Sequence, residues 1–207
     1  MINRISQGLF VSSLVVILPV LGNPEILRAP QVWVLLLFGV LASVCQPVYN
    51  PFTIAANPRD RRTGAQIIWS VYVTQVAALF ESAYLRYPGS IQWDLAATFA
   101  LVSMIAGLSL RTWAVVTLGS LFTMHISVQK DHCIIRNGPY RFSRHPSYLG
   151  AFILYLSTTV FLHAWASAIA ATVILPFAFL RRIHYEEELL KEEFGVEYES
   201  YCTEVRW

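Results

Sequence analysis

A chain of 207 residues with 56% hydrophobic and only 14% charged side chains is not an ordinary soluble domain, where about a quarter of residues carry charge. Its net charge of +2 lacks the strongly basic balance of a phosphate-neutralising nucleic-acid binder, and its length suits a single domain, 1–207. The composition is that of a protein embedded in a bilayer.

The first apolar run, Ile5–Leu21, follows Arg4 and so resembles a secretory leader. No small-x-small cleavage site precedes Pro24, and an uncleaved first span is the better reading. The second run is Val32–Tyr49. The loop Pro47–Gly64 then carries Pro47, Pro51 and Pro58 and the basic stretch Arg59-Asp60-Arg61-Arg62. Its simplest role is to anchor the flanking spans at the membrane face; phosphate binding is the alternative. The third run, Ile67–Tyr87, contains Glu81, an intramembrane acid read here as a snorkelling or hydrogen-bonded residue near the outer interface rather than as a catalytic one. Leu95–Val116 is the fourth.

The connection Leu118–Arg144 is long, and Val128, Ile134, Ile135 and Phe142 make it too apolar for a solvated linker, so it should fold back onto the protein. Tyr148–Leu180 exceeds one span of about 20 residues but falls short of two. His163-Ala164-Trp165 near its middle predicts a tight helical hairpin with Trp165 at an interface. The expectation is an all-α integral membrane protein of five to six transmembrane helices, with residues 1–117 as N-terminal spans and 118–207 as the chemical part.

With six spans and a cytoplasmic N-terminus, only Arg28 and Arg86 of the 15 lysines and arginines fall outside. That asymmetry places both termini and the 118–144 connection in the cytoplasm. Cys45, Cys133 and Cys202 show no paired spacing for zinc or for a disulfide framework, and no metal is expected. The tail from Arg181 onward holds eight of the 13 acidic residues, Glu186, Glu187, Glu188, Glu192, Glu193, Glu197, Glu199 and Glu204. Leu190 and Phe194 lie four apart on one helix face, Gly195 marks a helix break, and Tyr198, Tyr201 and Val205 extend the apolar side. An acidic tail is repelled by an anionic leaflet and drawn to Lys130, Arg136, Arg141 and Arg144, so it should dock over that basic segment and close a pocket.

The segment Gly138-Pro139-Tyr140-Arg141-Phe142-Ser143-Arg144-His145-Pro146-Ser147-Tyr148 puts two prolines, a glycine and several ionisable groups immediately before an apolar helix. It cannot be a continuous helix, and its polar groups at a bilayer boundary mark a candidate site. Pro146 suits the first turn of the next helix, whose unpaired N–H groups suit an anion. Upstream stands His132. Downstream, Arg182 and Glu186 are spaced i,i+4 and share a helix face, while Glu187 points about 100° away. On spacing alone the favoured reading of Arg182 and Glu186 is a solvated ion pair capping a membrane helix.

Taken together, His132, Ile134, Ile135, Gly138, Pro139, Tyr140, Arg141, Arg144, His145, Pro146, Tyr148, Leu149 and Gly150 resemble the cofactor-binding signature of the isoprenylcysteine carboxyl methyltransferase family. Arg182, Ile183, Glu186, Glu187 and Leu190, followed by Phe194, Gly195, Glu197, Tyr198 and Tyr201, resemble its continuation. The wider group of integral membrane methyltransferases includes phospholipid methyltransferases. The resemblance covers roughly 129–205; Ile134-Ile135 stands where the family commonly has Leu-Val.

It implies an S-adenosylmethionine site without a Rossmann sheet, with S-adenosylhomocysteine as product. By motif position, His132, Ile135, Gly138, Tyr140, His145 and Glu187 are implied cofactor contacts, Arg144 and Pro146 support the same segment, and Arg182 and Glu186 handle the acceptor. The implied reaction is carboxyl O-methylation of an isoprenylcysteine-like acceptor arriving from the bilayer. N- or S-methylation of a phospholipid or small hydrophobic molecule is the alternative enzyme reading. A transporter or non-catalytic scaffold is the alternative of another class, although the spans carry few charges and no inverted repeat.

Overall fold

The computed structural model describes residues 13, 16, 21–45, 60–123 and 133–205. Most of the first apolar run, the loop up to Arg59, and the stretch with Lys130 and His132 lie outside the described residues. Every regular element among those described is helical. A 3-10 turn, Pro24–Arg28, leads into α1 (Pro30–Cys45). Next come α2 (Thr63–Phe80), extended by a π-helical turn at Glu81–Leu85, and α3 (Leu95–Leu118). A 3-10 turn at Gly138–Arg141 precedes α4 (Pro146–Phe161), α5 (Trp165–Phe194) and α6 (Val196–Glu204).

The helix ends follow from local chemistry. Asp94 caps α3, its Oδ1 accepting the Ala97 N–H at 2.8 Å. Pro146 opens α4 at a position where a missing N–H costs nothing. The expected hairpin forms at residues 162–164, with His163 at φ 52. Its Nδ1 lies 3.1 Å from the Ser90 carbonyl and its Nε2 3.1 Å from Asp94 Oδ2. Gly195, at φ 50, separates α5 from α6 at the predicted break.

Glu81 fills the hydrogen-bonded role. Its carboxylate accepts the N–H groups of Ala166 and Ser167 at 3.0 and 2.8 Å and the Ser167 hydroxyl at 2.8 Å, and it pairs with Arg86 at 2.8 Å. These orphan donors belong to the start of α5, so the acid satisfies a helix terminus where water is scarce.

Helices α3 and α4 approach closely at Gly107 and Gly150. A Cβ on Gly107 would lie 2.7 Å from Leu154 N, and one on Gly150 would lie 2.7 Å from Arg111 N. Small residues allow this contact, which builds dispersion attraction without a hydrophobic driving force. Ala151 on α4 and Ala171, Leu175 and Phe179 on α5 form a second buried cluster, with Ile67 and Val71 of α2 packed against it.

The outward faces are apolar as well. Phe99, Val102 and Ile105 on α3 and Ile169, Val173, Phe177 and Leu180 on α5 are all more than half exposed. A continuous apolar exterior of this kind suits lipid rather than water. Three helical stretches, Thr63–Leu85, Leu95–Leu121 and Trp165–Phe194, are long and apolar enough to cross a membrane. α1 and α4 have 16 residues each. At 1.5 Å per residue α4 reaches about 24 Å, short of a core about 30 Å thick. Pro30 and Pro146 open these two helices, and the turn at 162–164 divides the apolar run Tyr148–Leu180 between α4 and α5.

Candidate active site at one end of the bundle

The alternation of α2 to α5 brings the start of α2, the end of α3, the start of α4 and the charged half of α5 to one end of the bundle. There the polar side chains interlock. Arg182, only 5% exposed, forms an ion pair with Asp60, which is fully buried. Its Nη1 also donates to Thr63 Oγ1 at 3.1 Å, and its Nε donates to the Tyr148 hydroxyl at 3.3 Å. That hydroxyl donates in turn to Glu186 Oε2 at 2.7 Å. Arg182 and Glu186 do share a helix face, and Tyr148 from α4 stands as a bridge between them.

Glu187 faces the other way, as its position predicts. Its Oε1 lies 3.1 Å from Arg144 Nη2 and 3.1 Å from His145 Nε2. The N-cap residue of α4, His145, and the arginine before it are thereby tied to α5. Of the eight tail acids, Glu186 and Glu187 alone are half-buried and the others are exposed. Among the described residues, two buried polar atoms beside this cluster have no hydrogen-bond partner, Arg144 Nε and the Tyr198 hydroxyl.

The tail covers the segment as expected. Tyr198, Tyr201 and Val205 are buried against Ile134, Leu190, Phe194 and Cys202. The Tyr201 hydroxyl donates to the Tyr140 carbonyl at 2.7 Å, and Arg136 pairs with Glu204 at 2.8 Å while donating to the Glu197 carbonyl at 3.2 Å. Burial pushes the Tyr201 phenol up to about 12. Burial likewise raises Tyr140 and Tyr198, reinforced by the charges of Glu186 and Glu187 respectively. All three are therefore neutral at pH 7 and act through O–H groups and ring faces, not as bases.

Of the residues singled out in the sequence, Arg144, His145, Glu186, Glu187 and Arg182 meet in this cluster, with Tyr140 buried beneath the tail and Pro146 buried at the start of α4. Gly138, at φ 57, rests against Thr117 and Trp113. Ile135 is half-buried between Ile134 and Arg136, both of which contact the tail. His132 lies outside the described residues. Sequence reasoning missed Asp60, Thr63 and Arg111, which come from the N-terminal spans, so the site draws on both parts of the chain. Arg111, itself buried, donates to the Ser147 carbonyl and hydroxyl, each at 3.1 Å. The available signals were a lone acid among arginines at 59–62 and a charge near the end of the fourth apolar run.

Comparison with known proteins supplies the family context. The sequence profile of the isoprenylcysteine carboxyl methyltransferase family matches residues 97–192. Protein-S-isoprenylcysteine O-methyltransferase A of Arabidopsis thaliana is 37% identical over 123 residues, 58% of this chain and 62% of that protein. The Saccharomyces cerevisiae protein-S-isoprenylcysteine O-methyltransferase is 34% identical over 175 residues, 82% of this chain and 73% of that one. The matched region thus spans somewhat under two thirds of the Arabidopsis protein and nearly three quarters of the yeast one. A solved structure of the eukaryotic intramembrane Ras methyltransferase ICMT superposes with a TM-score of 0.66 at 25% identity, covering 94% of this chain and 72% of that chain.

Proposed function

The chain belongs to the isoprenylcysteine carboxyl methyltransferase family, and on that premise we propose that it methylates the free carboxylate of an isoprenylcysteine-like acceptor, using S-adenosylmethionine. The observation that carries the reading is the convergence of Arg144 and His145 on Glu187, next to the Arg182–Tyr148–Glu186 chain. One cluster carries charges of both signs, and the other presents a guanidinium fixed in place.

The donor set fits the proposed cofactor. A carboxylate flanked by an arginine and a histidine, with an unpartnered N–H and an unpartnered hydroxyl buried beside it, suits a ligand bearing both an ammonium and a carboxylate. S-adenosylmethionine, when bound, supplies an electrophilic methyl group on its sulfonium. Arg144, His145 and Glu187 would hold it, with Tyr198 beside them and with Ile135, Gly138 and Tyr140 lining the segment below; His132 is proposed for the same site from its motif position. Pro146 fixes where α4 begins and so where His145 stands.

A carboxylate acceptor is already ionised at pH 7, so the site needs no strong base. Arg182 would orient that carboxylate through its planar fork, while Tyr148 and Glu186 keep the fork from turning. The docked tail excludes water from the cluster. Lipid-facing apolar surfaces leave the acceptor free to arrive from the bilayer, and the concentration of basic residues at this end supports a cytoplasmic site.

The test is product analysis with a donor labelled in its methyl group and a farnesylated cysteine whose carboxylate is free. A base-labile methyl ester that releases labelled volatile methanol is the expected product. Base-stable methylamine or thioether label would redirect the reading to N- or S-methylation, and no heat on titration with S-adenosylhomocysteine would remove the cofactor.

A further inference from the structure

We propose that Asp60 is a positioning residue for methyl transfer, one that sets the Arg182 guanidinium in its working orientation; this rests on the methyltransferase reading above. Asp60 belongs to the connection before α2, 122 residues from Arg182, and matches nothing in the motif from which the other roles were carried over.

Both oxygens of its carboxylate are committed. Oδ1 pairs with Arg182 Nη1, and Oδ2 accepts the Gly64 N–H at 3.0 Å in the first turn of α2. Thr63 closes the arrangement by donating its hydroxyl proton to the Asp60 carbonyl at 2.8 Å while its lone pair receives Arg182 Nη1 at 3.1 Å. Asp60 therefore cannot rotate without breaking the helix start, and the guanidinium cannot swing without breaking Asp60's bond. Neighbouring contacts brace the same joint: Arg181 donates to Gln66 Oε1 and to the Arg61 carbonyl, and Arg61 lies over the Tyr185 ring at 4.5 Å.

Stability alone is a poor reason for such a pair. Desolvating two charges offsets most of their attraction, and an apolar pair of similar volume would often hold α2 to α5 equally well. A buried arginine held on one side by a rigid carboxylate and on the other by Tyr148 is instead what orientation of a planar acceptor requires. Asp60 touches neither donor nor acceptor and acts through Arg182.

The experiment is a double-mutant cycle on full-length protein in detergent or nanodiscs, with Asp60→Asn, Arg182→Gln and the pair. Turnover on the farnesylated cysteine and S-adenosylhomocysteine affinity are both measured. Asp60→Asn keeps an acceptor for Gly64 N–H but removes the charge, and should lower turnover between about tenfold and a hundredfold. Donor-product affinity should stay within about twofold of wild type, and in the Arg182→Gln background the added Asp60→Asn should change turnover less than about threefold. Losses that multiply, or donor-product affinity that falls in step with turnover, overturn the positioning role. If Asp60→Asn does not fold, Thr63→Val reads the same joint: a several-fold fall in turnover that disappears in the Arg182→Gln background supports the role, and an unchanged or additive effect overturns it. Wild-type protein that methylates no acceptor overturns the methyltransferase reading and the role with it, whereas active wild type with multiplying losses overturns the role alone.

Discussion

The Tyr148 hydroxyl donates to Glu186 at 2.7 Å while accepting from Arg182, so the single proton of this phenol has one direction to point. A hydroxyl used as donor and acceptor at once fixes the order Arg182, Tyr148, Glu186 and ties α4 to α5 at the site. Tyr148→Phe keeps the ring, which packs 5.8 Å from Phe179 and 6.0 Å from His145, and removes only the bridge. Hydrogen bonds to charged partners are worth about 1.5–3 kcal/mol, so turnover should fall roughly tenfold to a hundredfold. Affinity for S-adenosylhomocysteine should change little, and parallel kinetic and calorimetric titrations check the split.

Gly150→Ala is expected to destabilise the protein by about 1–3 kcal/mol, since its Cβ would meet backbone atoms of α3 that cannot give way individually. Gly89→Ala is the control: nothing lies within 4 Å of the added carbon, and the change should stay within about 0.5 kcal/mol. Thermal unfolding of the two variants in one detergent reads the difference. Equal midpoints would mean that α3 and α4 are not held at the distance described.

The opposite end of the bundle has a pH dependence of its own. Hydrogen bonds from the Ala97 N–H and from His163 hold the Asp94 carboxyl below the usual carboxylate range. A group depressed in the folded state stabilises it above the unfolded pKa, and that contribution is lost as pH falls through the lower folded value. Asp94→Asn keeps an N-cap acceptor but no charge. Wild type should therefore be more stable than the variant at neutral pH, and the two should converge as pH drops below about 4. A midpoint difference that persists unchanged into acid would show that the charge contributes nothing.

The parts of the structure visible in the sequence were those encoded by neighbours in the chain. The hairpin at 163–165, the break at Gly195 and the divergence of Glu186 from Glu187 are consequences of local composition and helical periodicity. The docking of the tail was visible as charge complementarity, and Arg136 with Glu204 realises it. The partner of Arg182 was not visible, because Asp60 reaches it across 122 residues and only the packing of α2 on α5 decides which acid arrives. Arg111 was counted for topology and given no chemistry, since a charge at the end of an apolar run ordinarily reports the interface. Its partner, Ser147, becomes apparent only once Gly107 and Gly150 bring α3 and α4 into contact. The division of the long apolar run between α4 and α5 has a related cause: an apolar run measures where lipid is tolerated, while turns such as 162–164 decide where a helix ends.

Tail closure is the remaining link between fold and activity. Tyr201 hydrogen-bonds the Tyr140 carbonyl from a buried position, and its raised pKa keeps that proton in place through neutral and moderately basic pH. Tyr201→Phe preserves the ring against Tyr198 and removes the hydrogen bond from the tail to the Gly138–Arg141 turn, a loss of about 1 kcal/mol for a neutral pair. Arg136→Ala removes the Glu204 pair at the exposed edge, where such pairs contribute about 0–1 kcal/mol. The first variant should weaken donor-product binding about fivefold and speed proteolytic cutting near Gly195, while the second should do little alone. Bound S-adenosylhomocysteine should slow that cutting in wild type, because a ligand held beneath the tail stabilises the closed arrangement by mass action. Removal of residues beyond Gly195 with binding and turnover intact would leave the tail without a role in closing the site.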